Sequence, residues 1–218
     1  MKPTPSQAAS ATTGMESPVR ERILGAAFHA FTEKGYAGTS TLEIATRAKV
    51  SKRELYALFG SKQAVLIACI TTRAARMRLP PDMPEPNNGN TLAAALTAFG
   101  VTLMREVCHP AVVAMFRLAI AEAERSPEVA RALTAAGRDP ARAALAELLA
   151  GAQASGLLGE GNPVELAGEY LAFLWGDLLM RLLLRVAKPP KQDEIQHRAR
   201  KATAALLQLH ARAPVIRP

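Results

Sequence analysis

The sequence predicts an all-helical fold, and three features carry that prediction. Alanine and leucine dominate, aromatics make up only 5% of the 218 residues, and no stretch alternates apolar and polar residues with the period of a half-buried strand. Ser40-Thr41-Leu42-Glu43 and Ser51-Lys52-Arg53-Glu54 both read S-x-x-E, the pattern in which a serine caps a helix and the glutamate reaches back to the cap. His109-Pro110, Ser126-Pro127, Asp139-Pro140 and Asn162-Pro163 place proline where the first turn of a helix tolerates it. Half of the chain is apolar, and its length is enough to bury a real core.

Residues 1–16 are rich in Ser, Thr, Ala and Pro without periodicity and are expected to form a disordered tail, with Lys2 free for loose phosphate contact. Ser17-Pro18 opens the first helix, which carries Ile23, Leu24, Ala27, Phe28 and Phe31 on one face to about Lys34. Gly35 ends it as a left-handed cap. Arg20 and Arg22 near its start either reach a polyanion or face water.

The two S-x-x-E boxes predict short helices from Thr41 to about Ala48 and from Lys52 to about Phe59. Lys49, Val50 and the cap Ser51 alone separate them, so the helices must cross steeply, as in a helix-turn-helix. Ile44, Ala45 and Ala48 form one face and Val50, Leu55 and Phe59 the other. Lys52, Arg53, Glu54 and Tyr56 are left at the exposed start of the second helix, the part that enters the major groove in proteins of this geometry. Ser61 caps a fourth helix from Lys62 to about Leu79, carrying Val65, Leu66, Cys69 and Ile70.

The series Gly35-Tyr36, Thr39-Ser40, Ile44-Ala45, Ala48, Val50-Ser51, Leu55-Tyr56, Phe59 and Ser61-Lys62 resembles the DNA-binding signature of the TetR family of bacterial transcriptional regulators over roughly residues 20–70. The segment GDLLMRLLL is similar to the AefR-type ligand domain. The resemblance implies an N-terminal three-helix helix-turn-helix unit joined to a helical ligand-binding and dimerisation domain, about nine or ten helices in all. It implies DNA contacts from Thr39, Ser40, Lys49, Ser51, Lys52, Arg53, Tyr56 and Lys62, of which Tyr56 and Lys62 match phosphate-contacting positions. Three residues depart from the family pattern. Lys49 stands where Gly is usual, and either bears a left-handed strain of about 1 kcal/mol or the turn adjusts. Glu54 replaces Thr or Ser and serves either the capping box or a cytosine amine. Leu58 replaces His or Tyr.

Charge agrees with this division. Residues 1–80 hold 12 Lys/Arg and 5 Asp/Glu, net +7, and residues 81–218 hold 15 and 14, net +1. A basic face attracts polyphosphate and steers its approach.

Pro80–Asn90, PPDMPEPNNGN, reads as a linker between a DNA-binding portion at 17–79 and a second portion at 91–212, with 213–218 as a tail. Asn90 precedes a helix to about Val107, and His109-Pro110 one to about Arg125. Ser126-Pro127 opens a short helix ending near Gly137, and Asp139-Pro140 the next, to about Ser155. A long apolar helix follows from Pro163 to about Ala187, and the last spans about Gln192 to Arg212. Because the long helix is apolar nearly all round, it is expected to be buried on several sides. Gly168, Ala172 and Gly176 line it at intervals of four and Ala202, Ala205, Leu206 and Leu209 form a matching stripe. Both helices are read either as core or, as the resemblance implies, as a homodimer interface at Gly168, Ala172, Gly176, Ala205 and Leu209.

Phe99, Leu103, Met104, Val107, Met115, Phe116 and Ala119, with Trp175 closing over them, are core residues on composition alone. The resemblance implies that they line the cavity of a small apolar effector, with Glu122 and Arg125 as polar contacts or solvated ends. Asp177 and Arg181 are spaced for a structural ion pair.

Cys69 and Cys108 lie in apolar contexts without C-x-x-C or His/Cys clusters, so neither metal nor cofactor is expected. No secretory core is evident, and Asp177, Arg181 and Arg185 interrupt the apolar run of Tyr170–Val186 short of a membrane span; a cytoplasmic location is expected. G-x-S-x-G, G-x-x-x-x-G-K-[ST] and H-E-x-x-H are absent, and His29, His109, His197 and His210 are scattered. These features argue against an enzyme. The expectation is a ligand-responsive repressor that binds a palindromic double-stranded operator as a dimer; the alternative is an architectural DNA-binding protein without an effector.

Overall fold

The computed structural model describes residues 18–74 and 86–211, and the helical architecture is as expected. The predicted tails at 1–16 and 213–218, the Ser17 cap, the end of the fourth helix at Leu79 and residues 80–85 of the linker lie outside the described residues. The first four helices are α1 (Pro18–Gly38), α2 (Thr41–Ala48), α3 (Lys52–Phe59) and α4 (Lys62–Ala74). They are followed by α5 (Gly89–Val107), α6 (Pro110–Ala121), α7 (Pro127–Leu133) and α8 (Asp139–Ala154), then by α9 (Pro163–Trp175), α10 (Leu178–Leu183) and α11 (Gln192–Leu209).

Two apolar cores organise them. Ile23, Leu24, Ala27 and Phe31 of α1 close over Ile44, Ala45 and Ala48 of α2, Leu55 of α3 and Val65, Leu66 and Ile70 of α4. The second core joins α5, α6, α8, α9, α10 and α11 around Leu96, Phe99, Met104, Leu145, Leu149, Tyr170 and Leu206. In this second core α11 packs along α5 and α9, and α8 packs on α9. A polar seam holds these helices in register. The Tyr170 hydroxyl, fully buried, donates to the Leu96 carbonyl at 2.6 Å, and Thr97 donates to Thr203 at 3.2 Å. Gly100 permits this approach, because a Cβ there would stand 2.3 Å from the Tyr170 oxygen.

Several expected boundaries change. The long helix predicted from Pro163 to Ala187 is broken at Gly176 (φ 48°, ψ −122°), a backbone region that glycine alone enters readily. It buries Leu166, Ala167, Tyr170, Leu174, Leu178 and Leu182 but leaves Val164, Phe173, Met180, Leu184 and Val186 exposed. The break expected near Gly137 is instead a π-helical turn, Thr134–Arg138, that joins α7 to α8. Pro140 explains it, since proline lacks an N–H and its ring clashes with the carbonyl four residues back; a widened turn relieves both faults. Helix α5 starts at Gly89 with Asn88 as its cap, two residues earlier than the expected Asn90, and the Asn88 and Thr91 side chains satisfy each other's backbone N–H. Helix α6 stops at Ala121 rather than Arg125.

Both cysteines are buried, and no disulfide joins them. Burial pushes the Cys108 thiol up to about 11, against a weaker opposing pull from Arg198. Among the described residues no single helix is long and apolar enough to cross a membrane.

Candidate nucleic-acid interface

The interface is built on caps. Ser51 Oγ accepts the Glu54 N–H at 3.1 Å, and Glu54 Oε2 accepts the Ser51 N–H at 2.8 Å, so the predicted box at the start of α3 is complete. Hydrogen bonds from the Ser51 N–H and hydroxyl, with a smaller contribution from Arg22, hold the Glu54 carboxyl below the usual carboxylate range. That carboxylate is therefore occupied by its own helix start. The box expected at α2 is only half formed. Ser40 Oγ accepts the Glu43 N–H at 3.1 Å, but the Glu43 carboxylate turns to Lys34 and Arg47, each at 2.8 Å. Arg47 also reaches Glu33 at 2.8 Å, and this network fastens α2 to α1. The ammonium of Lys34 is the main reason that the Glu43 carboxyl titrates low.

Lys49 closes α2 in the left-handed conformation (φ 55°, ψ 48°), its N–H directed at the carbonyls of Ala45 and Thr46. Val50 N–H returns to Ala45 at 3.0 Å, giving a Schellman-type end with lysine where glycine is usual. The residue bears the strain, and the turn keeps its geometry. Arg22 on α1 donates through Nε to the carbonyl of Ala48 at 3.3 Å, satisfying an otherwise orphaned group at the end of α2. Its guanidinium is thus turned toward α2, while Arg20 lies over the Phe59 ring at 5.6 Å.

Leu55, fully buried, pins α3 to the core. That anchorage sets Ser51, Lys52, Arg53, Tyr56 and Ala57 outward, and all are exposed, as are Ser40 and Lys49. The Tyr56 hydroxyl meets the Thr41 hydroxyl at 3.3 Å across the angle between α2 and α3, and the Lys52 ammonium sits 5.7 Å from the centre of the Tyr56 ring. The structure thus brings Ser40, Lys49, Ser51, Lys52, Arg53 and Tyr56 to one accessible face. It does not bring Thr39 there. That side chain is buried, and its hydroxyl donates to the carbonyls of Ala30 (3.0 Å) and Gly35 (2.8 Å). Lys62 is half-buried, with its ammonium donating to the carbonyls of Tyr36 (2.8 Å) and Thr39 (2.9 Å).

The residues expected to line one effector cavity fall into two cores. Phe99, Leu103 and Met104 belong to the C-terminal core, with Trp175 half-buried against it. Met115 and Ala119 belong to the N-terminal core, and Phe116 touches both. Glu122 is buried at the end of α6, near enough to Tyr36 to raise its phenol together with Glu128, although burial is the larger cause.

Of the expected interface residues, Gly168 faces inward. A Cβ there would meet the Arg142 guanidinium of α8 at 3.3 Å. Ala172, Gly176 and Leu209 are exposed and Ala205 is half-buried, whereas Ala202 and Leu206 belong to the subunit's own core. Asp177 and Arg181 are paired at 3.8 Å, with both side chains more than half exposed; an ion pair so placed adds little.

Comparison with known proteins decides the family. Residues 23–69 match the model for bacterial regulatory proteins of the tetR family, and residues 94–212 match the C-terminal domain of AefR-like transcriptional repressors. The chain belongs to the TetR family of transcriptional regulators. It is 26% identical over 190 residues to the HTH-type transcriptional regulator YvkB of Bacillus subtilis, covering 83% of this chain and 93% of YvkB. Among solved structures it is similar to a TetR regulator from Agrobacterium tumefaciens, at 28% identity and a TM-score of 0.75 over 89% of this chain and 94% of that one. It is also similar to the flavonoid-responsive regulator FrrA, at 28% identity and a TM-score of 0.73 over 89% of this chain and 98% of FrrA. Members of this family are DNA-binding transcription factors rather than enzymes.

Two residues that sequence reasoning missed in this TetR chain are Tyr36, whose ring lies under the Lys62 ammonium, and Arg117. The latter reaches from α6 to the end of α10. Tyr36 belongs to the family signature, so a signal existed. Arg117 bonds main-chain carbonyls far along the chain, which no local pattern records.

Proposed function

We propose that this TetR regulator is a cytoplasmic, ligand-responsive repressor that binds a palindromic operator as a homodimer and is released by a small apolar effector. The observation that carries the reading is the start of α3, where Lys52, Arg53 and Tyr56 project from a capped, core-pinned helix. In helix-turn-helix proteins this part of the recognition helix contacts base edges. Arg53 presents a guanidinium suited to guanine's two acceptors, while Ser40, Lys49, Ser51, Lys52 and Tyr56 supply phosphate contacts. The exposed apolar side chains Phe173, Met180, Leu184 and Leu209 on α9–α11 support the pairing of two subunits, and the residues at Ala172, Gly176 and Ala205 allow close approach. Such pairing sets two reading heads on one duplex.

Phe99, Leu103, Met104, Phe116 and Trp175 supply an apolar effector site. Apart from Glu122 at the end of α6, the buried polar side chains of the helices around them are Tyr170 and Thr203, so a largely neutral ligand fits best. The similarity to FrrA makes flavonoids the first compounds to test. In a flavonoid panel, release of operator at one bound molecule per subunit is expected, together with loss of the response in Leu103→Trp at unchanged operator affinity. Leu103 is a cleaner probe than Ala119, which packs in the DNA-binding core. A compound that binds the C-terminal core and leaves operator affinity unchanged would favour the architectural reading instead.

A further inference from the structure

The strut concerns Lys62, and it rests on α2–α3 being the DNA-reading unit. Its ammonium has three N–H groups. Two are spent on the carbonyls of Tyr36 and Thr39, at 2.8 and 2.9 Å, from 26 and 23 residues away in sequence. The charge also sits 4.2 Å from the centre of the Tyr36 ring, within the range of a favourable cation–ring contact. These carbonyls belong to the α1–α2 connection. Gly35 (φ 75°, ψ 173°) breaks the helical path there, so that the segment beyond it is not held by an unbroken helical ladder. Thr39 ties the same segment from within, its hydroxyl on Ala30 and Gly35 and its N–H on the Tyr36 carbonyl at 3.3 Å. Lys62 is the first residue of α4, and α4 packs against α7 and the π-helical turn of the C-terminal portion. One ammonium therefore joins the helix nearest that portion to the segment from which α2 starts.

We propose that Lys62 is a positioning residue, a strut that fixes the α1–α2 connection to the start of α4 and so holds α2 and the recognition helix α3 in their docking geometry before DNA arrives. A surface lysine serving only phosphate would be solvated and unspent before DNA arrives. This one is half-buried and two-thirds committed.

The test uses the full chain with Lys62→Met, which keeps the stem and removes the charge, and Lys62→Arg, which restores donors. A phosphate contact exists only in the complex, so hydrogen exchange in the free protein separates the two roles. The strut predicts exchange across Tyr36–Thr39 faster by about tenfold or more in Lys62→Met. It also predicts weaker operator binding with an unchanged salt slope, and recovery of both properties in Lys62→Arg. Unchanged exchange in the free protein overturns the proposal. A salt slope lower by about one unit with exchange intact would mark a phosphate contact alone. Lower thermal stability with unchanged operator affinity would mark a merely structural role and also overturn it. Should Lys62→Met fail to fold, Lys62→Gln, which keeps neutral donors, is read by the same criteria. Because exchange is measured without DNA, failure of the strut and failure of the DNA-binding reading remain distinguishable.

Discussion

Arg117 of α6 donates through Nε to the carbonyl of Leu183, the last residue of α10, at 2.9 Å, and through its other arm to Leu182. These carbonyls lie at the end of a helix of six residues; that of Leu182 also accepts the Arg185 N–H at 3.1 Å, whereas the Leu183 carbonyl is one that helix geometry leaves without an intrahelical donor. The same α6 buries Met115, Leu118 and Ala119 in the DNA-binding core and sets Phe116 against both cores. A single helix therefore ties the DNA-binding unit to the broken end of α9–α10, where the exposed apolar side chains lie. That link gives the proposed effector site and the proposed dimer face a mechanical connection to the operator-reading end.

Replacing Lys49 with Gly tests the strain in the turn. A non-glycine residue in the left-handed region costs about 1 kcal/mol, so Lys49→Gly is expected to raise the melting temperature by about 2–4 °C in a chain of this size. If Lys49 also contacts phosphate, the salt slope of DNA binding falls by about one unit. Calorimetry and a salt titration read these two effects separately. An unchanged or lower melting temperature would show that the lysine side chain compensates for its backbone.

The capping box gives a pH dependence with a definite sign. Glu54 is held below its ordinary value by the Ser51 N–H and hydroxyl. A carboxyl lowered in the folded state stabilises that state above its unfolded pKa, and the contribution disappears as pH falls through the folded value. The stability difference between the wild type and Glu54→Gln should therefore be full at neutral pH, begin to shrink near the ordinary glutamate value of about 4.3, and vanish only once the pH is below the folded value. Ser51→Ala should cost about 1 kcal/mol at neutral pH, as cap removal does elsewhere. A Glu54→Gln difference that persists in strong acid would mean that the charge is not what the box uses.

The local and the distant parts of this interface were not equally legible. Ser51, Glu54 and the limits of α2 and α3 could be read because every partner lies within four residues. Glu43 could not, since its carboxylate leaves the Ser40 box for Lys34 of α1 as well as for Arg47. Thr39 and Lys62 matched family positions, but their engagement with the α1–α2 connection depends on a fold that brings Tyr36 and Thr39 beside α4. In the sequence Gly176 is a small residue in a continuous apolar pattern, and that periodicity runs straight through a break that the backbone alone reveals. The cavity set was legible as apolar and helical, yet its division between two cores follows from α6 spanning both, and spacing along one helix carries no such information.

Dimerisation is tested at Phe173 rather than at Gly176, because a bulky residue at Gly176 would strain its positive φ whether or not a partner is present. Phe173 is 40% exposed on α9. Phe173→Glu places a charge that a buried apolar interface would have to desolvate, and sedimentation is expected to show monomers with an unchanged helical circular dichroism spectrum. An intact dimer would remove this face from the interface.

Arg53 is the expected base reader. Arg53→Ala should relax preference at one position in each half-site, at a cost of about 1–3 kcal/mol against the preferred base. Competition binding with single-base variants of the operator measures it. Full retention of the preference would assign Arg53 to the backbone.

The central claim, that two α3 helices on a paired molecule read one palindrome, is tested most directly by selection of binding sites from random duplex DNA with the intact protein. The account predicts an inverted repeat whose half-site centres lie about 10–10.5 base pairs apart, or a multiple of that spacing. Enrichment of sequences without dyad symmetry, or no enrichment above non-specific binding, would contradict it.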